Sequence, residues 1–337
     1  MARRAEWIDL LDPSEAKLHD SLPGEIHERA LALLLEPARH DDEPRPRLEG
    51  HDDYVFGVFL VPICIRAEDR VFYQEIDVVV TEARIVTVRK TPEQGHPFDA
   101  TAAIDSWNAG GDLTGGEAAY LLADLVAEDY LDLIDALNDE IDELEDGVDQ
   151  WPPQRIRTRV SQLRHDLLHI RRALAPTRDA IHQVVDRRID VKRGRELFPR
   201  KVELDFAAAY DKLLRAVDGL DLSRDLLAGV RDYHQAKIAN DQNEVTKRLT
   251  VIASLLLVPT FIVGLYGQNF RHIPELRWGF GYWWSWAWII GTTVLQLAFF
   301  YWLGWIGRGQ VRRLRVPQAR SLDPRTLRGR RRGGGAA

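Results

Sequence analysis

Gly267, Gln268 and Asn269 stand together in the pentapeptide YGQNF, residues 266–270, at the end of an uncharged apolar run. They offer only neutral oxygens, two backbone carbonyls and side-chain amides. Neutral oxygens suit a cation that keeps its hydration shell, because they accept hydrogen bonds from the bound waters without stripping them. No acid lies between residues 249 and 270, so the wall leading to this pentapeptide is also neutral. On that wall Asn243, Thr246, Thr250, Leu257, Thr260 and Gly264 recur at steps of three, four or seven, apart from their apolar neighbours Ile252, Leu255, Leu256, Val258 and Ile262. Such a face serves either close helix packing or a polar path. Glu275, in the loop that follows, either attracts cations or is a solvated loop acid.

The elements that must position these residues are two uncharged stretches, residues 249–270 and 278–306, with Arg271, His272, Glu275 and Arg277 between them. Runs of roughly 20 apolar residues cross about 30 Å of hydrocarbon, so the pair reads as a transmembrane hairpin with a short outer loop, residues 267–281. Pro259 breaks the hydrogen-bond ladder of the first span, which a membrane helix tolerates where neighbours or a polar cavity satisfy the freed carbonyl. Trp283, Trp284, Trp286, Trp288, Tyr301, Trp302 and Trp305 cluster toward the ends of the second span as interfacial anchors do. The second span therefore reads as the lipid-facing helix and the first as the inner one.

Charge is unevenly spread. The chain has 45 basic and 52 acidic residues, but ten arginines and only Asp323 follow the second span, which leaves 35 basic and 51 acidic residues before residue 308. A soluble part this acidic argues against nucleic acid, whose binding rests on phosphate contacts, and suits a cationic partner. The arginines after the second span, beginning with Arg308, Arg312 and Arg313, follow the positive-inside pattern and place the basic tail, residues 307–337, in the cytoplasm. An even number of spans puts the N-terminal part there too, in the cell membrane's cytoplasmic compartment. The single Cys64 fits a reducing compartment as a small core residue, and the start MARRAEWIDL lacks a signal-peptide core.

From the beginning, AEWIDLLDPSEAKL reads as a short strand leading into a helix capped by Asp12 or Ser14. After a loop at residues 37–50, YVFGVFLVPICI, RVFYQEIDVVV and ARIVTVRK give a small, mostly antiparallel sheet that ends near Lys90. Residues 1–116 thus form an α/β sheet domain. An acidic helix over 117–149 carries one apolar stripe, Leu121, Leu122, Leu125, Val126, Leu133, Leu137, Ile141 and Leu144, and Trp151-Pro152-Pro153 ends it. A basic helix from 154 to about 190 follows, and the two read as a hairpin within 117–198. Its acidic face is either solvated or a lure for hydrated divalent cations. From Pro199 apolar residues recur at near-heptad spacing as far as Ile238, so a stalk over 199–248 joins the first span as one helix, roughly 100 Å long at 1.5 Å per residue.

The stretch NEVTKRLTVIASLLLVPTFIVGLYGQNF, then IPELRW, an aromatic second span and a basic tail resembles the CorA family of divalent-cation transporters. The family signature is Tyr-Gly-Met-Asn-Phe, and Tyr266, Gly267, Asn269 and Phe270 match it. The WIDL start and the acidic and basic helices extend the resemblance over nearly the whole chain. The resemblance implies a membrane protein of α+β class, a homopentamer with a funnel-shaped cytoplasmic α/β domain and a pore lined by five first spans. Five copies of Asn269, with the Gly267 and Gln268 carbonyls, would ring its outer entrance. It also implies pore-facing polar positions at Asn243, Thr260 and Gly264, and hydrophobic constrictions at Leu249 and Leu257 that gate by dewetting. A basic collar of Lys247, Arg248 and the tail arginines, and Mg2+ sensing at Asp232, with Asp225 second, complete what it implies. Stalk acids of this kind are otherwise simply solvated.

The function expected from this resemblance is passive uptake of divalent cations, chiefly Mg2+ with Co2+ or Ni2+ as lesser substrates, and no enzymatic activity. Mg2+ is then the transported and regulatory ion, no cofactor is needed, and membrane lipid and further copies of the chain are the partners. No Walker loop, dinucleotide fingerprint or Cys/His metal cluster is present in the sequence. Gln268 stands where the family has Met, and family members with a substituted middle residue include zinc transporters, so Zn2+ movement, proton-coupled in one version, is an alternative. A membrane-tethered scaffold without transport is another.

Overall fold

A computed structural model describes residues 5–24, 26–39, 43–65, 70–109, 114–189, 197–268 and 273–306. The chain divides into two compact units, residues 1–237 and 238–337. In the first, five strands, β1 (Glu6–Leu11), β2 (Arg47–Gly50), β3 (Val55–Ile65), β4 (Arg70–Val80) and β5 (Arg84–Arg89), form one sheet in the order β1-β5-β4-β3-β2. Every pairing is antiparallel except β1 with β5. The sheet is thus mostly antiparallel, as the sequence reading expects.

Both faces of the sheet are covered, which is why β3 reads as a nearly continuous apolar run instead of an alternating one. Successive side chains point to opposite faces. Val55, Phe59, Val61, Val78 and Val80 enter the large core, and Phe56, Val58, Val79, Val86 and Val88 enter a smaller one. The smaller core is closed by α1 (Glu15–Ser21) and α2 (Glu28–Leu35), through Leu18, Ala30 and Leu34. Ser14 is the N-cap of α1 and accepts from the Lys17 N–H, which settles the choice between Asp12 and Ser14.

The large core is built by α4 (Gly115–Gly147), α5 (Pro153–Val185) and the first part of α6 (Arg200–Tyr266), which follow the short α3 (Thr101–Ala109). Leu122, Val126, Leu133, Leu137, Ile141 and Leu144 of the α4 stripe are buried, and Leu121 and Leu125 pack against the same core half-buried. Val202, Phe206, Leu213, Leu220, Leu227 and Val230 of α6 belong to that core too. The sheet, the helical hairpin and the start of the stalk, three segments in the sequence reading, therefore share one apolar interior. The hairpin carries a Glu140–Arg159 ion pair between its helices, while Asp132, Asp135, Asp139, Asp142, Glu143, Glu145 and Asp146 are exposed.

α4 starts two residues before the expected position because Thr114 and Glu117 form a capping box: the Glu117 N–H donates to Thr114 Oγ1 and the Thr114 N–H to the Glu117 carboxylate. One polar contact locks α4 to the sheet. The fully buried Tyr130 hydroxyl donates to the Leu60 carbonyl of β3 at 2.8 Å. Tyr130→Phe is expected to lower stability by about 1 kcal/mol in a denaturant titration of the detergent-solubilised protein, leaving the fold intact.

Candidate functional site

The second unit begins within α6, after Lys237. Residues 241–250 are exposed throughout, including Asn243, Thr246, Lys247, Arg248, Leu249 and Thr250. Further along, Leu257, Thr260 and Gly264 are exposed as well, and an added Cβ at Gly264 would meet nothing within 4 Å. The less exposed side of α6 is a different one, made by Val251, Ser254, Leu255, Val258, Pro259 and Ile262. A helix places residues three and four apart on one side, so these two sets occupy separate stripes. Ile252 and Leu256, which the sequence reading groups with the apolar neighbours, are exposed at 56% and 65% and form a third side.

The threonines of the polar stripe have a defined polarity. Thr246 donates its hydroxyl proton to the Gln242 carbonyl, Thr250 to that of Thr246, and Thr260 to that of Leu256, at 2.9, 2.9 and 2.6 Å. With the proton spent on the preceding turn, each hydroxyl presents acceptor lone pairs outward. An acceptor surface without charge is what the donor O–H groups of a hydrated cation can use. Leu249 and Leu257, exposed at 62% and 69%, interrupt this surface with apolar patches.

At its C-terminal end α6 tightens into a turn: the Gly267 N–H donates to the Val263 carbonyl at 2.9 Å and the Gln268 N–H to that of Leu265 at 3.4 Å. Helix C-termini leave carbonyls without intrahelical donors and carry partial negative charge, so a cation approaching Gly267 and Gln268 meets favourable dipoles. Both residues are exposed and Tyr266 is half-buried. Asn269 and Phe270 lie outside the described residues, as do Arg308, Arg312 and Arg313 of the expected collar. Of the collar's remaining members, Arg248 is ion-paired with Glu244 one turn earlier.

Ahead of the next helix stands a 3-10 turn, Pro274–Arg277, which holds the half-buried Glu275. α7 (Gly281–Trp302) packs its first residue on that turn; a Cβ at Gly281 would lie 2.2 Å from the Glu275 carbonyl oxygen, so only glycine fits. Trp278 stacks edge-on against Trp284 at 6.1 Å, while Trp283, Trp286, Trp288, Tyr301 and Trp302 are exposed. The less exposed positions of α7 are Gly281, Ser285, Ile289, Thr292, Thr293, Gln296 and Phe300, again at steps of three and four. Gln296 donates from its side-chain amide to the Ser254 carbonyl of α6 at 3.2 Å. That contact belongs to the side of α6 that Pro259 also occupies, not to the polar stripe. Gln296 is the residue that the sequence reading misses, and its signal is plain afterwards: it is the one amide in a span whose other polar side chains are aromatic or hydroxyl groups.

Among the described residues, one helix, α6, is long and apolar enough to cross a membrane by length and composition. α7 carries no charge, but its many tryptophans and tyrosines make it less hydropathic than an aliphatic span.

Asp225 and Asp232 lie in the first unit, on the exposed side of α6, and Asp232 accepts from the neighbouring Arg231 at 3.1 Å. Among the described residues no group of three or more His, Cys, Asp or Glu side chains is arranged to hold a metal ion. The two aspartates do not come together with other ligands inside a single chain.

Comparison with known proteins gives a consistent result. The Cobalt/magnesium transport protein CorA of Thermotoga maritima is 30% identical over 241 residues, which cover 71% of this chain and 66% of that protein's own length. The Putative metal ion transporter YfjQ of Bacillus subtilis is 28% identical over 305 residues and the match covers 89% of each chain. The complete structure of the CorA magnesium transporter from Methanocaldococcus jannaschii has the same fold, with a TM-score of 0.71 over 90% of this chain and 92% of that one at 19% identity. The model of the CorA-like Mg2+ transporter protein family matches residues 4–304, and the chain belongs to that family.

Proposed function

We propose that five copies of the chain surround a pore that admits divalent cations, chiefly Mg2+ with Co2+ and Ni2+ as lesser substrates. The observation that carries this reading is the uncharged, acceptor-bearing stripe of α6, Asn243, Thr246, Thr250, Thr260 and Gly264, which no other described element covers. The names of the T. maritima and M. jannaschii relatives, cobalt/magnesium and magnesium transport, agree with it. In the assembled pore α6 is the inner span and α7 the outer one, because α7 meets α6 through Ser254, away from the stripe. Asn269 with the Gly267 and Gln268 carbonyls rings the outer entrance, and Leu249 and Leu257 close the path by excluding water. The arginine-rich tail lies on the cytoplasmic side and so does the acidic first unit, where Asp225 and Asp232 meet regulatory Mg2+ between neighbouring protomers.

No ATP is required. An inward-moving divalent ion gains about 4.6 kcal/mol per 100 mV of inside-negative potential. Proteoliposomes containing the purified protein are expected to take up Mg2+ when a potential is imposed, with uptake reduced by external Co2+ or Ni2+. Absence of flux would favour a scaffold. The exposed Gln268 favours one rival substrate: preference for Zn2+ over Mg2+ in the same competition series, accelerated by a proton gradient, would replace the magnesium reading with a zinc one.

A further inference from the structure

Alternation along β4 and β5 sends Glu75 and Asp77 to the same face as Val79, and Lys90 to the same face as Val86 and Val88. That face is covered by α1 and α2. Asp77 is fully buried, Lys90 is 3% exposed and Glu75 8%. Two carboxyl groups therefore share one ammonium in a closed site. Lys90 Nζ lies 2.5 Å from Glu75 Oε1 and donates to the Leu33 carbonyl in the last turn of α2 at 3.0 Å, where the negative end of the helix favours it. It lies 3.2 Å from Asp77 Oδ2, yet neither Asp77 oxygen accepts a hydrogen bond. Two carboxylates against one ammonium would leave a net buried negative charge, which is costly without further partners.

The other charged groups nearby look elsewhere. Glu15, Lys17, His19 and Asp20 of α1 and Glu28 and Arg29 of α2 are exposed. Glu36 pairs with Arg39, and Asp9 pairs with Arg89. Opposite Asp77 on β3 stands Val58. At the start of that strand the Tyr54 hydroxyl accepts the His27 N–H. Beyond Val58, Arg47 of β2 lies over the Phe56 ring and pairs with Glu49, so among the described residues Glu75 and Lys90 are the charged groups that act on Asp77 at close range.

We propose that Asp77 is a proton-held latch between the sheet and α2: with its carboxyl protonated, Lys90 neutralises Glu75 and ties down Leu33, and loss of the proton sets a second buried carboxylate against the first for the same ammonium. The electrostatics agree, since burial raises the Asp77 carboxyl from 3.8 to about 7, opposed by Lys90 and assisted by Glu75. A carboxyl raised in the folded state contributes stability that is complete below its ordinary value. That contribution declines as pH rises through the interval from about 3.8 to about 7 and is gone above it. Acidification fastens α2, and alkalinisation loosens it.

The test is hydrogen exchange of the full-length protein in detergent, followed in peptides from α2 and β4 between pH 5 and 8 and corrected for the intrinsic exchange rate. Wild-type protection is expected to fall with rising pH by up to about tenfold per unit until near neutrality, the limit for one released proton. Asp77→Asn, which fixes the uncharged form, is expected to remove that slope while Glu75 and Lys90 stay paired. Infrared titration of the wild type should show a carboxylic-acid carbonyl band that disappears around neutral pH, and this readout needs no folded variant. An unchanged slope in Asp77→Asn, or a wild type with neither slope nor band, would overturn the latch.

Discussion

Asn269→Ala should nearly abolish Mg2+ uptake by proteoliposomes while leaving the protein folded and assembled. The amide of Asn269 is the last side-chain oxygen before the basic loop residues Arg271 and His272, so in the proposed pore an ion entering from outside would meet it ahead of the long neutral wall of α6. In a fivefold ring the substitution deletes five acceptors at once. Each hydrogen bond to a group polarised by the ion contributes about 1.5–3 kcal/mol, and the site has no charge in reserve to replace them. Loss of even two such contacts predicts a reduction of about a hundredfold or more. Alanine keeps the backbone carbonyls of Gly267 and Gln268, so residual slow flux is compatible with the ring. Asn269→Asp separates affinity from throughput, since a ring of carboxylates should hold a divalent ion tightly and slow its release. Uptake by Asn269→Ala at the wild-type rate, from a sample whose oligomer is intact, would remove the amide from the pore entrance.

Much of this was legible beforehand because the relevant patterns are long. The apolar stripe of α4 repeats over 33 residues, and the strands β3 and β4 each run for 11. α6 carries no proline before Pro259, and its glycines are single, so nothing in the sequence ends it early. The missing pieces are short or non-local. α2 and α3, of eight and nine residues, lie in stretches to which the sequence reading assigns no element, because a helix so brief takes its stability from packing rather than from propensity. The capping box at Thr114 was available in the sequence, and it corrects the start of α4. The meeting of Glu75, Asp77 and Lys90 depends on the pairing of β4 with β5 and on α2 lying over it. Residues 15 apart cannot be matched until that register is known. For the candidate site, spacing placed the polar positions of α6 on one stripe, and the structure adds the direction of each threonine hydroxyl. Gln296 escaped notice because its partner is a backbone carbonyl 42 residues away, which no side-chain pattern marks.

Gly115→Val should prevent the first unit from folding normally, an effect on the scale of a severe core truncation there. Gly115 opens α4 directly beneath the turn that joins β4 to β5, and its N–H donates to the Glu82 carbonyl at 3.1 Å. A Cβ at this position would lie 1.8 Å from the Thr81 carbonyl oxygen and 3.1 Å from its carbon. Ordinary contact begins near 3.4 Å, so the turn or the helix must retreat by more than an ångström. Neither can do so freely. The Thr81 N–H and hydroxyl are both bonded to the Arg84 carbonyl, and α4 is fixed a few residues later by Ala118, Leu122 and Val126 in the core. Overpacking a fixed core costs about 1–3 kcal/mol when side chains can yield. Here the obstacle is backbone, and the two extra methyl groups of valine enlarge it, so a loss of at least about 3 kcal/mol is expected. That is a large fraction of the whole stability of a domain, and the variant should give little folded protein in a detergent extract. Gly115→Ala carries the same Cβ without the methyl groups and should fall between the two. Wild-type yield and thermal stability for both variants would mean that the start of α4 is not pressed against the β4–β5 turn.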